Sequence, residues 1–131
     1  MKLLMVVLVT AMAATGVGCG YSSHATTPPT PGTKPSIAQL TPPSTAAGSS
    51  DFTLTVQGTN FSSAAVVKFN GTAMTTTFDS ATEVKATIPA SAVATANPAV
   101  PVTVTNPGTP GGQYGGGTAA ATSDPMNFTI N

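Results

Sequence analysis

The sequence predicts an all-β fold, a sandwich of two small sheets carrying about seven short strands. Three observations point to it. Apolar and polar residues alternate with period two in several separate stretches. Turn residues such as Asn70-Gly71, Pro89 and Asn106-Pro107 close those stretches. The one Ala-rich piece, Ser91 to Ala96, is ended too soon by Asn97-Pro98 to make a packing helix.

Residues 1–18 stand apart as a signal peptide. Lys2 supplies a positive start, Leu3-Leu4-Met5-Val6-Val7-Leu8-Val9 opens an apolar run, and weaker residues carry it to Gly18. The run is shorter than the roughly 20 residues of a spanning helix, and no basic cluster follows it. Two cleavage readings stay open. Ala11-Met12-Ala13 fits the small-x-small rule. Gly16-Val17-Gly18-Cys19 resembles a bacterial lipobox, in which the cysteine becomes the lipidated first residue of the mature chain. Gly16 departs from the Leu, Val or Ile usual at that position. Cys19 is the only cysteine, so it cannot close an internal disulfide, and no second thiol or cluster of histidines offers it a metal. Two readings are left for Cys19: lipid attachment, with several acyl chains holding where one holds only marginally, or a bystander thiol just beyond an ordinary cleavage site.

Residues 19–35 read as a flexible tether. Tyr21 to Pro35 is rich in Pro, Thr and Ser and has no apolar period, which makes it a semi-extended spacer. His24 lies in it, where a mobile backbone cannot hold catalytic geometry.

From Ser36 to Asn131 the pattern is that of strands. Ile37 and Leu40 mark the first, closed by Pro42-Pro43. Phe52-Thr53-Leu54-Thr55-Val56-Gln57 alternates, placing Phe52, Leu54 and Val56 on one buried face. Val66 to Phe69 runs into Asn70-Gly71, a pair suited to a type I′ turn, and Thr72 to Phe78 should return as its partner. Glu83 to Ile88 points Val84, Ala86 and Ile88 inward; Val100, Val102 and Val104 repeat the pattern; Phe128 and Ile130 form the last strand. Seven such strands in a segment of this size match an immunoglobulin-like sandwich. With no Trp, the five phenylalanines Phe52, Phe61, Phe69, Phe78 and Phe128 are expected to supply its buried aromatic area.

These residues resemble the IPT/TIG family of immunoglobulin-like domains. The resemblance is carried by Pro35-Ser36-Ile37 through Leu40-Thr41-Pro42, by Gly48, and by Leu54-Thr55-Val56-Gln57-Gly58-Thr59-Asn60-Phe61. It continues in Val67-Lys68-Phe69-Asn70-Gly71-Thr72, Ala86-Thr87-Ile88-Pro89 and Val102-Thr103-Val104-Thr105-Asn106-Pro107. It implies a non-enzymatic module of a bacterial surface protein, and looks most like the extracytoplasmic copies. Gly58 suits a tight turn ahead of a Phe61 that plugs the end of the sandwich. One departure is the long, glycine-rich excursion from Gly108 to Asp124, which holds the lone aromatic Tyr114. Tyr114 is a candidate stacking contact for a sugar or partner; the competing reading is a flexible insertion with an incidental Tyr.

Composition excludes several function classes. Charged residues are 6% of the chain, with 4 Lys+Arg against 4 Asp+Glu. There is no basic cluster to neutralise phosphates, so no nucleic acid is expected. His24 alone cannot build a Ser-His-Asp triad, and Asp79 with Glu83 reads as solvated surface rather than a glycosidase pair. The acids are too scattered for a calcium site. No catalytic residue, metal or cofactor is expected. Two readings remain for a lipoprotein outside the cytoplasm, or a secreted or periplasmic protein if Cys19 is not lipidated. One is a spacer or protein-interaction domain of the cell envelope, and the other is a carbohydrate-binding or adhesive module.

Overall fold

The computed structural model describes residues 30–113 and 115–131. They form ten strands: β1 (Ser36–Thr41), β2 (Ser44–Thr45), β3 (Phe52–Thr59), β4 (Val66–Phe69), β5 (Thr72–Ala73), β6 (Thr75–Ser80), β7 (Glu83–Ile88), β8 (Asn97–Asn106), β9 (Ala121–Thr122) and β10 (Met126–Ile130). One sheet runs β1-β3-β7-β6; the other runs β2-β10-β8-β4-β5, with β9 also paired to β8. Only β2 and β10 pair in parallel among the described strands. This is the immunoglobulin-like sandwich that the alternation predicts.

Alternation works because successive side chains of a strand face opposite ways. Leu54 and Val56 of β3 and Val84, Ala86 and Ile88 of β7 face Val67, Phe69, Val100, Val102, Val104, Phe128 and Ile130 of the second sheet, all buried. Each of these side chains, the smaller Ala86 apart, stabilises the fold by about 1.5–3 kcal/mol relative to leaving it exposed. Phe128 is the hub between the layers. It stacks on Phe52 at 5.9 Å between centroids and meets Phe69 edge-on at 5.4 Å. Phe61 closes the opposite end of the core.

Three expectations change. Thr72 to Phe78 does not return as one partner strand. It pairs with β4 only through Thr72 and Ala73, then crosses at Met74 into the other sheet, where Thr75–Ser80 pairs with β7. The crossing is held by Thr76, whose hydroxyl accepts the Val67 N–H at 2.9 Å and donates to the Met74 carbonyl at 2.9 Å. Phe78 is therefore on an edge strand, 37% exposed rather than buried. Gly58 is required by close approach, not by a turn: a Cβ there would collide with the Ser36 carbonyl oxygen and come within 2.7 Å of the Phe61 ring. Asn60 takes the positive φ of 62° that the corner needs.

The predicted Asn70-Gly71 turn is present, with φ of 52° and 82°. The Ala-rich piece gives one 3₁₀ turn, Ala90–Val93, seated by buried Val93. The glycine-rich excursion is not bare loop. Thr109 and Thr118 bridge, Gly112 and Gly115 bridge, and β9 pairs with the end of β8.

Strand directions give the sandwich two distinct ends. Segment 30–35, the β3–β4 corner and the 107–125 excursion lie at one. The 42–51 loop, the Asn70-Gly71 turn and the 3₁₀ turn lie at the other. Among the described residues no helix is long and apolar enough to cross a membrane.

Candidate functional site

The end of the sandwich that carries the Asn70-Gly71 turn also carries a groove of about 560 Å³. Its two walls come from unrelated stretches. The turn and the Met74 crossing make one wall; the other is Pro89 and the 3₁₀ turn behind it. Asp51 fixes that second wall by accepting the Ala90 N–H at 2.9 Å. Gly48, at φ 79°, donates its N–H to the Val93 carbonyl at 2.8 Å and holds the turn from the other side.

The lining is neutral throughout. Phe69, Met74, Pro89 and Ala92 are its apolar part, and Asn70, Thr72, Thr75, Thr87 and Ser91 are its polar part. None of these five polar side chains bonds another described residue, whereas hydroxyls elsewhere pair off. Examples are Thr45 with Ser49 at 3.0 Å, Ser80 with Thr82 at 3.1 Å and Thr105 with Thr122 at 2.9 Å. The groove thus offers unspent hydrogen-bonding groups around an apolar floor, at a size that suits a small ligand or a partner side chain.

At the other end most polar groups are committed, the buried Ser62 hydroxyl excepted. Asn106, buried at the close of β8, donates to the carbonyls of Thr33 at 3.0 Å and Asn60 at 2.7 Å, and accepts the Ser62 N–H at 3.0 Å. Thr30 donates to the Gly117 carbonyl at 3.0 Å and accepts from Ala119 at 2.8 Å. Lys34 pairs with Asp124 at 2.8 Å. Residues 30–35, the close of the tether stretch in the sequence, are therefore strapped to the sandwich.

Every described carboxylate has such a structural contact. Asp79 and Glu83 flank Lys85, at 2.8 Å and 3.5 Å. The hydrogen bond from Lys85 holds the Asp79 carboxyl below the usual carboxylate range, and the same bond raises Lys85. Asp79, Glu83 and Lys85 thus form an ion-pair cluster on the sheet surface. No group of three or more His, Cys, Asp or Glu side chains converges as a metal site among the described residues.

Of the residues singled out from sequence, Asp79 and Glu83 lie outside the groove lining. Cys19, His24 and Tyr114 lie outside the described residues, as do the signal peptide and residues 19–29. The groove itself was missed. Asn70-Gly71 and Pro89 were each legible as chain punctuation, but nothing local says that they face each other across a gap.

Residues 35–130 match the family model of the IPT/TIG domain. No curated protein and no solved structure matches the chain.

Proposed function

The chain belongs to the IPT/TIG family, and from that premise we propose that it is a non-enzymatic module of the bacterial cell envelope, lipid-anchored through Cys19. It serves as a spacer or protein-interaction domain. The observation that carries this reading is the separation of the two ends. The chain comes in at the strapped end, while the neutral groove opens at the other. Residues 20–29 lie between an anchor at Cys19 and the first described residue, and about 10 residues of chain reach at most about 35 Å. The β3 strand, 8 residues long, adds about 26 Å more. The groove would then face away from the lipid surface, where a partner can reach it. Low charge favours contacts by shape and hydrogen bonding over electrostatic capture.

The experiment is Cys19→Ala in the full chain, followed by membrane fractionation and acyl labelling. Loss of the label and release from the membrane fraction are expected; unchanged labelling and fractionation would remove the anchor from the account.

The unpaired hydroxyls and amide of the groove favour a second reading, a carbohydrate-binding or adhesive module, with Tyr114 as a further contact. A glycan array set against an envelope-protein pulldown separates the two. Saccharide binding that weakens in Tyr114→Ala supports the second; envelope-protein binding with no saccharide signal supports the first.

A further inference from the structure

No side chain of residues 30–34 is buried, and none is among the described residues of 107–122 to which that strap is fastened. The strap is held by polar contacts. Thr30 donates its N–H to the Gly117 carbonyl at 3.0 Å, and its own carbonyl accepts from Ala119 at 2.8 Å. The Thr33 carbonyl accepts from the Asn106 amide at 3.0 Å, and the Lys34 carbonyl from the Asn60 amide at 3.4 Å. Lys34 meets Asp124 at 2.8 Å, with both side chains exposed. Burial begins only at Pro35.

The excursion that receives the strap is lightly held as well. It closes on itself through the Thr109–Thr118 and Gly112–Gly115 bridges, and six of the residues from Gly108 to Gly117 are glycine. Backbone lies directly on backbone here. A Cβ at Gly32 would meet the Ala119 carbonyl, one at Gly108 the Thr118 carbonyl and one at Gly117 the Thr109 carbonyl. Such close approach leaves no room for side chains, so hydrogen bonds supply the cohesion. Each glycine also regains more backbone freedom on release than any other residue would. The net worth of a few hydrogen bonds is then set against the entropy of ordering a similar number of residues, two quantities of similar size. The sandwich differs, because buried side chains from both sheets hold it together.

We propose that the strap and the excursion form a clasp that opens and closes while the sandwich stays folded, and that opening lengthens the tether. Release of residues 30–34 adds up to about 17 Å of chain. Buried Pro35 and Leu40 stop the release at β1, which remains paired with β3. The position of the clasp gives it a use. A load from the N-terminal side reaches Thr30 before Thr33 and Lys34, so the contacts are met one after another. Tension between an anchor and a partner at the groove would open the clasp and leave the groove intact. That use rests on the Cys19 anchor proposed above; the opening itself does not.

The test uses the full chain carrying Cys19→Ala in detergent, which separates the clasp from the anchor. In hydrogen exchange, the amides of Thr30, Thr118 and Ala119 should exchange at least about 100-fold faster than those of β3 and β7, as expected of a sub-global opening. Gly32→Ala should speed the Ala119 amide at least about 10-fold further with β3 and β7 unchanged. Gly71→Ala, at the far end of the sandwich, should leave the clasp amides as they were. Spin labels at Thr30→Cys and at Thr53→Cys, on an exposed position of β3, read the reach. A narrow distance population beside a broad, longer one is expected, and Gly32→Ala should convert the first into the second. Clasp amides that exchange only together with β3 and β7, a single narrow distance that Gly32→Ala leaves in place, or equal acceleration of the clasp by Gly71→Ala would each overturn the proposal.

Discussion

The residue that ties most of the chain together is Asn106. Its amide joins segments 44, 46 and 73 residues away in sequence: Ser62, Asn60 and Thr33. A buried amide with its bonds satisfied stabilises, and its removal leaves two carbonyls and one N–H without partners. Asn106→Ala should lower the unfolding free energy by about 2–3 kcal/mol, read from urea unfolding. It should also loosen segment 30–35 before the rest of the fold opens, as earlier hydrogen exchange at Ala119 and Ser62. Asp79 gives a smaller, pH-dependent effect. Its folded pKa is depressed, so its contribution is present above the unfolded value and lost as the pH falls through the folded one. The thermal midpoint should therefore fall as the pH drops below about 4, and Asp79→Asn should shallow that fall. Exposure keeps the effect small, and added salt should weaken it.

Among the elements, those fixed by local pattern were legible from sequence. Strands β3, β7 and β8 alternate cleanly, and burial in them follows the alternation. Asn70-Gly71 announces its own turn because both residues tolerate positive φ. Gly71→Ala should cost about 1 kcal/mol, measured by thermal unfolding, with β5 fraying first. What local pattern does not encode is the change of sheet. The first strand passes into the second sheet after Pro42-Pro43 as β2, and the Thr72 to Phe78 run breaks at Met74 into β5 and β6. The second break depends on a hydroxyl of Thr76 meeting the Val67 N–H, a contact between strands of the two sheets with no period to betray it. For the same reason Phe78 looked like core: alternation assigns a face, and only the sheet order reveals an edge. Asn106-Pro107 could be read as a strand end, but the three bonds of Asn106 could not.

At the scale of the whole molecule, the fold divides its polar chemistry between two ends. One end spends its hydrogen bonds internally, on the strap at Thr30, Thr33 and Lys34 and on the bridged excursion. The other leaves Asn70, Thr72, Thr75, Thr87 and Ser91 unspent around the groove. The groove was the least legible feature because its walls, 69–75 and 87–92, meet only after two sheets have formed and packed. On this division rests the proposal of an anchor at the first end and recognition at the second. Site-specific photocrosslinking in cells tests it most directly, with a crosslinker at Ser91 in the groove and, separately, at Thr109 in the bridged excursion. The account predicts a discrete adduct with an envelope partner from Ser91 and none from Thr109. An adduct from Thr109 alone would contradict it.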